Sequence, residues 1–162
     1  MIDIPALDDD VNFLVCVDKA EESRTALMFA CMRAVHCDSR VTLLHVVEPP
    51  FTESIFSIAD KMTEECLEEG EELLTSLKQY AVDMMGKEPD TIMIEGSVGD
   101  TILEHANSAE CSANLLIVGV AANNAGRGKL TTYLSSQVGD ELKIPLVLVP
   151  GNLTKEEVAK LA

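Results

Sequence analysis

The chain has 162 residues, 47% of them hydrophobic, enough apolar material for a core of ordinary domain size and too much for wholesale disorder. Twelve Lys and Arg stand against 28 Asp and Glu, a formal charge of −16 with a pI near 4.4, so phosphate backbones and anionic lipid surfaces are poor partners. No apolar run reaches the roughly 20 residues of a spanning helix, and Met1–Asp10 (MIDIPALDDD) has no basic segment and ends in three acids, unlike a secretory signal. The expectation is a soluble cytoplasmic protein that binds neither nucleic acid nor membrane.

The first strand is expected at Asn12–Val17 (NFLVCV), short and apolar on both faces. A helix follows over about Glu21–His36, with Leu27, Ala30, Cys31 and Ala34 marking one buried stripe. The second strand is Val41–Val47, ended by Glu48-Pro49-Pro50, which cannot continue a ladder. From Phe51 to Lys87, Ile58, Met62, Cys66, Leu73, Leu77, Ala81 and Met84 keep helical spacing. Six glutamates between Glu64 and Glu72 flank that stripe, as a solvated face or an acidic docking surface.

The third strand is Thr91–Glu95, and Gly96-Ser97-Val98-Gly99-Asp100 turns the chain, with Asp100 as cap for a helix over about Thr101–Ala109. The fourth strand, Asn114–Gly119, leads into a loop of small residues, Val120–Lys129. A helix over about Tyr133–Leu142 then precedes the fifth strand, Pro145–Val149. In the tail, Thr154 and Glu157 have the spacing of a capping box.

Alternating strands and helices, with apolar runs rather than alternating patterns in most strands, predict an α/β fold. Its parallel sheet is doubly wound and covered by helices on both faces. No repeat or linker divides the chain, so residues 1–162 read as one domain, with a core over about 11–150 and a tail over 151–162. Ligands bind such sheets beyond the C-terminal strand ends where the winding reverses. With the first strand central, that crevice lies between strands one and four, where Asp18 and Gly119 leave the sheet.

Chemical motifs are sparse. The first strand–helix turn, Val17–Glu22, contains no glycine, against a dinucleotide fingerprint. Gly128-Lys129 lacks both the leading glycine (Asn123) and the following hydroxyl (Leu130) of a phosphate loop. A phospho-acceptor receiver needs an acidic pair after strand one and an Asp after strand three, where Asp18 stands alone and Glu95-Gly96 follow. There is no G-x-S-x-G elbow. Cysteines 16, 31, 37, 66 and 111 are odd in number and widely spaced, and His36, His45 and His105 are scattered. This predicts neither a disulfide framework nor a metal site, with Cys16 and Cys31 in the core.

Five segments in order do carry a resemblance: N-F-L-V-C-V-D-x-x-x-x-S-x-x-A-L (Asn12–Leu27), L-L-H-V (Leu43–Val46), E-G-x-x-x-D-x-I-L (Glu95–Leu103), N-L-L-I-V-G (Asn114–Gly119) and I-P-L-V-L-V-P (Ile144–Pro150). Over about residues 11–150 the chain resembles the universal stress protein family. The resemblance implies a five-stranded parallel sheet of order 3-2-1-4-5, usually a homodimer, and a role in stress tolerance rather than a defined reaction.

In the members that bind ATP, an Asp ending strand one and a Val ending strand two hold the adenosine end; they match Asp18 and Val46. The phosphates lie in a loop of the form G-x2-G-x9-G-[S/T], whose glycines let backbone N–H groups close on the anion. Gly119 matches the first glycine and Ala122 replaces the second. With three extra residues, Ala125 stands with nine residues between it and Ser135-Ser136, which replace the last Gly-Ser pair. Each added Cβ disfavours φ > 0 and close backbone approach.

The loop retains Gly126, Arg127, Gly128 and Lys129, as a rewired anion site on Arg127 and Lys129, as a surface loop that has lost nucleotide, or as a loop still holding ATP in the usual pose. Asp18 in turn is either a ligand contact or an N-cap with Glu21 three residues on. The expectation is a degenerate nucleotide site with no cofactor and no catalysis, the module acting through dimerisation and partner contacts. The alternative is ATP with Mg²⁺, bound or slowly hydrolysed. Pro145–Val149, a wholly apolar edge, would be covered by a second copy or by the tail.

Overall fold

The computed structural model describes residues 1–2, 10–49, 56–122 and 128–162, with the backbone alone over 56–59. Its elements are β1 (Asn12–Cys16), α1 (Glu21–Cys37), β2 (Arg40–Val47), α2 (Phe56–Met85), β3 (Asp90–Glu95), α3 (Val98–Ala106), β4 (Leu115–Val120), α4 (Lys129–Gln137), β5 (Leu146–Pro150) and α5 (Lys155–Leu161). All strand pairs are parallel, in the order β3-β2-β1-β4-β5. The α/β architecture and strand order are those expected from the sequence.

The apolar strand runs follow from burial on two faces. In β1 the side chains of Phe13 and Val15 pack with α1 and α2, whereas Leu14 and Cys16 pack with α3 and α4. Leu14, Val15, Leu43, Leu116 and Ile117 are fully buried. Small residues bring α1 down onto the sheet: Ala26, Ala30, Cys31 and Ala34 are sealed from solvent beside Leu27. Asp38, at φ +50, ends the helix, its N–H donating to the Ala34 carbonyl. At the opposite end of the sheet from the crevice, Asn12 is a buried polar staple. Its Nδ2 donates to the Cys111 carbonyl at 2.9 Å and its Oδ1 accepts from the Thr42 hydroxyl at 3.0 Å.

The stripe of α2 sinks only along its second half. Leu74, Leu77 and Ala81 are buried, and at Gly70 a Cβ would lie 2.8 Å from Met93 Sδ and 3.0 Å from the His45 ring, so the helix closes onto β2 and β3 there. Met62 is exposed, and Ile58 lies outside the described side chains. The six glutamates are all exposed. Cys16, Cys31 and Cys111 are buried free thiols. The capping box of α5 forms in both directions: Glu157 N–H donates to Thr154 Oγ1, and Thr154 N–H to the Glu157 carboxylate.

Two helices differ from the sequence expectation. α3 begins at Val98, three residues early, after Ser97, which makes no side-chain cap. Asp100 therefore sits inside the first turn, where it accepts a 2.6 Å hydrogen bond from Tyr133. α4 spans Lys129–Gln137 rather than about Tyr133–Leu142. Gly139 takes φ +91, and the Gln137 carbonyl collects the N–H groups of Asp140, Glu141 and Leu142, which closes the helix.

The tail packs along α1, where Arg33 donates to the Ala162 carbonyl; on the edge strand β5, Leu148 is 40% exposed. Among the described residues no helix is long and apolar enough to cross a membrane.

Candidate ligand crevice at the switch point

β1 and β4 are neighbours whose following helices lie on opposite faces of the sheet, so their C-terminal ends part and leave a crevice. It measures about 250 Å³. Its floor is Cys16, Leu44, Val46 and Val118, with Asp18 and Gly119 at the strand ends. Glu22 and Ser23 of α1, Val98 and Ile102 of α3, and Gly128, Leu130 and Thr131 at the start of α4 form the walls. Burial is the main cause that pushes the Cys16 thiol far above its usual range, with the Asp18 charge adding to it.

Local hydrogen bonds hold Asp18 in place. Its N–H donates to Ser23 Oγ at 2.9 Å, and its Oδ1 accepts from the Ala20 N–H at 2.8 Å. The residue before it is anchored too, as the Val17 carbonyl lies 2.8 Å from His45 Nδ1. The N-cap of α1 is Ala20, without a side-chain cap, so Asp18 is not the cap and the Asp18–Glu21 capping box does not form. The carboxylate instead braces the turn ahead of the helix and remains exposed at the crevice.

Gly119 has a packing reason to be glycine. A Cβ there would stand 2.0 Å from the Glu22 carbonyl oxygen and 2.4 Å from its carbon, because the first turn of α1 rests on the end of β4. Gly151 does the same on the other side, where a Cβ would lie 2.5 Å from Glu22 Cβ. Glu22 is thus seated between two glycines and is one of the residues that line the crevice.

Of the residues expected at a nucleotide site, the structure brings Asp18, Val46 and Gly119 together. Lys129 lies next door, in a second cavity of about 270 Å³ shared with Glu48, Asp100 and Tyr133. Arg127 is outside the described residues. Ser135 and Ser136 are not at the crevice: the first donates to the Thr131 and Thr132 carbonyls and the second to that of Tyr133, all within α4. It is Thr131, in the first turn of α4, that reaches the crevice wall.

Glu22, Ser23 and Thr131 were not singled out from the sequence. Ser23 stood in the quoted D-x-x-x-x-S spacing, but Glu22 and Thr131 carry no motif of their own. The described lining residues include two acidic ones, Asp18 and Glu22, and no basic one. Lys19, beside Asp18, is drawn away to Glu69 at 2.5 Å. Among the described residues no cluster of three or more His, Cys, Asp or Glu side chains is placed to hold a metal ion.

Taken together, the architecture is that of a doubly wound α/β protein with a crevice at the topological switch point. The model of the universal stress protein family matches residues 12–150, and the chain belongs to that family. Universal stress protein UspA from Lactobacillus plantarum is similar in fold at 18% identity, with a TM-score of 0.72 over 86% of this chain and 97% of that one. A universal stress protein family member from Burkholderia pseudomallei is similar at 19% identity and TM-score 0.70, over 90% and 99% of the two chains. A family protein from Arabidopsis thaliana with AMP bound is similar at 15% identity and TM-score 0.62, over 86% and 91%. No curated protein sequence matches the chain significantly.

Proposed function

We propose that this chain is a cytoplasmic stress-response module without catalysis of its own, whose crevice takes a small ligand weakly and which acts as a homodimer through protein partners. The observation carrying this reading is the division of the expected site. Asp18, Val46 and Gly119 share one crevice, while Ser135 and Ser136 are bonded into their own helix and Ala122 stands where the loop form calls for glycine. That division supports a pocket for base and sugar over a polyphosphate cradle, which asks for glycine at those positions. The AMP held by the Arabidopsis relative supports a nucleotide of low charge as the kind of ligand to try. For the homodimer, the support is that β5 is an edge strand with Leu148 exposed.

A second reading, ATP with Mg²⁺ as switch or slow hydrolase, is favoured by one feature. α4 opens on the crevice with an uncapped first turn, where free N–H groups and the helix dipole attract an anion. Calorimetric titration with ATP and Mg²⁺, repeated with AMP, separates the two, with sedimentation on the same sample. The expected result is no ATP binding tighter than millimolar, in a species of twice the 17.5 kDa chain mass. Micromolar ATP binding that is lost on Asp18→Ala or Lys129→Ala would overturn the first reading in favour of the second. A species of single chain mass would overturn the dimer.

A further inference from the structure

We propose that Met93 is a modification site for peroxides, at which oxidation to the sulfoxide unseats α2 from the sheet. The proposal stands apart from the crevice and needs no ligand there.

The seat is a notch in α2. Gly70 is buried, and the place its Cβ would take lies 2.8 Å from Met93 Sδ, 3.0 Å from His45 Cδ2 and 3.3 Å from His45 Nε2. The thioether and the imidazole belong to paired residues of β3 and β2. Together they fill the space that a side chain at position 70 would have taken. On one side of the notch the buried stripe of Leu74, Leu77 and Ala81 begins, and on the other Glu69 pairs with Lys19. Gly70 is therefore where α2 meets the sheet. Met93 is only partly buried, and it stands on an edge strand.

Oxidation changes this contact in kind. A hydroperoxide passes one oxygen to the sulfur: the O–O bond breaks, an S=O bond forms, the sulfur gives up two electrons, and water or an alcohol leaves. The product is a polar acceptor where an apolar, polarizable sulfur stood. Neither neighbour in the notch offers it a donor. His45 Nδ1 lies 2.8 Å from the Val17 carbonyl, which can only accept, so Nδ1 carries the proton and Nε2 of the neutral ring is bare. Gly70 has no side chain, and its N–H is committed inside the helix. An acceptor buried without a donor is costly. The cost is relieved when Met93 turns out to solvent, and the notch then stands empty beneath α2.

The test treats the folded, full chain with hydrogen peroxide, locates each added oxygen by peptide mass spectrometry, and follows melting and amide exchange. Met93→Leu is treated in parallel, a volume-conserving change that keeps every cysteine and all other methionines. In the wild type Met93 should gain one oxygen while folded. Tm should then fall by on the order of 5 °C, and amides around Gly70 should exchange about tenfold faster. Methionine sulfoxide reductases with a dithiol should reverse these changes. Met93→Leu should keep its melt through the same treatment, even as the exposed Met62 is oxidised. Met93 left unmodified in folded protein whose Met62 is fully oxidised would overturn the proposal. So would a sulfoxide at Met93 with melt and exchange unchanged, or an equal loss of stability in Met93→Leu.

Discussion

Gly119→Ala tests whether this glycine serves the fold or a ligand. The new Cβ would sit 2.0 Å from the Glu22 carbonyl oxygen, 2.4 Å from its carbon and 3.0 Å from Ser23 N, where ordinary contact begins at 3.4 Å. All three obstacles are backbone, so no rotamer change relieves them, and α1 or the end of β4 must back away. α1 cannot do so freely, because Ala26, Leu27, Ala30, Cys31 and Ala34 are packed with no exposed surface. Overpacking costs about 1–3 kcal/mol and occasionally more, and a backbone obstacle places this case near the top, about 3 kcal/mol. For a chain of this size that lowers Tm by about 6–12 °C.

The assay is thermal and urea unfolding of the ligand-free protein, with Gly139→Ala as comparison. That residue has φ +91 but no atom within 4 Å of a Cβ, so only left-handed strain of about 1–2 kcal/mol applies. Gly119→Ala should be the more damaging of the two. A Gly119→Ala protein that melts with the wild type would refute the seating of α1 on β4 and return the glycine to a purely ligand-related role.

Two further outcomes follow from burial and capping. Thr154→Ala removes the Thr154 Oγ1 acceptor of the α5 capping box while leaving the backbone N–H that donates to Glu157, and should cost about 1 kcal/mol, or about 2–4 °C in Tm, with Thr154→Ser close to wild type; an unchanged melt for Thr154→Ala would show that the hydroxyl cap contributes nothing. Native protein treated with a thiol reagent near pH 8 should react quickly at exposed Cys37 and only after unfolding at Cys16, Cys31 and Cys111. Burial pushes Cys31 up to about 12 and Cys16 further, leaving almost no thiolate to attack. Rapid native modification of those three would contradict the packing of both sheet faces.

How much was legible in the sequence depended on whether one physical cause acted alone. Each strand buried on both faces is an apolar run, and β1, β2 and β4 were readable from that pattern within about a residue. α1 was readable from its small apolar stripe and α5 from the Thr154–Glu157 spacing. The two short helices were not, since competing causes act at their ends. Asp100 has a capping side chain, but Tyr133 from α4 claims it, and α3 starts three residues sooner on Ser97, without a side-chain bond. Leu134, Val138 and Leu142 have helical spacing, yet Gly139 turns the chain and Val138 is left exposed. Glu22 and Thr131 at the crevice depend on contacts between elements, which no local pattern records.

Gly119 shows why a motif match can mislead about function. The family's loop form asks for glycine where backbone must approach phosphate, and Gly119 satisfies it. The structure supplies a second and sufficient reason, the Glu22 backbone resting on that position. A residue required by the fold persists whether or not a ligand is bound, so its presence says little about nucleotide. The informative positions are those for which no contact in the fold demands glycine. At 122 and 135 the chain carries Ala and Ser; Ser135 lies in mid-helix, where its hydroxyl bonds back onto α4 and its Cβ is accommodated without strain. The division between the retained glycine and the replaced ones runs along the line between what packing requires and what a polyphosphate would require. That is the physical ground for the proposal that the crevice is a small-ligand pocket.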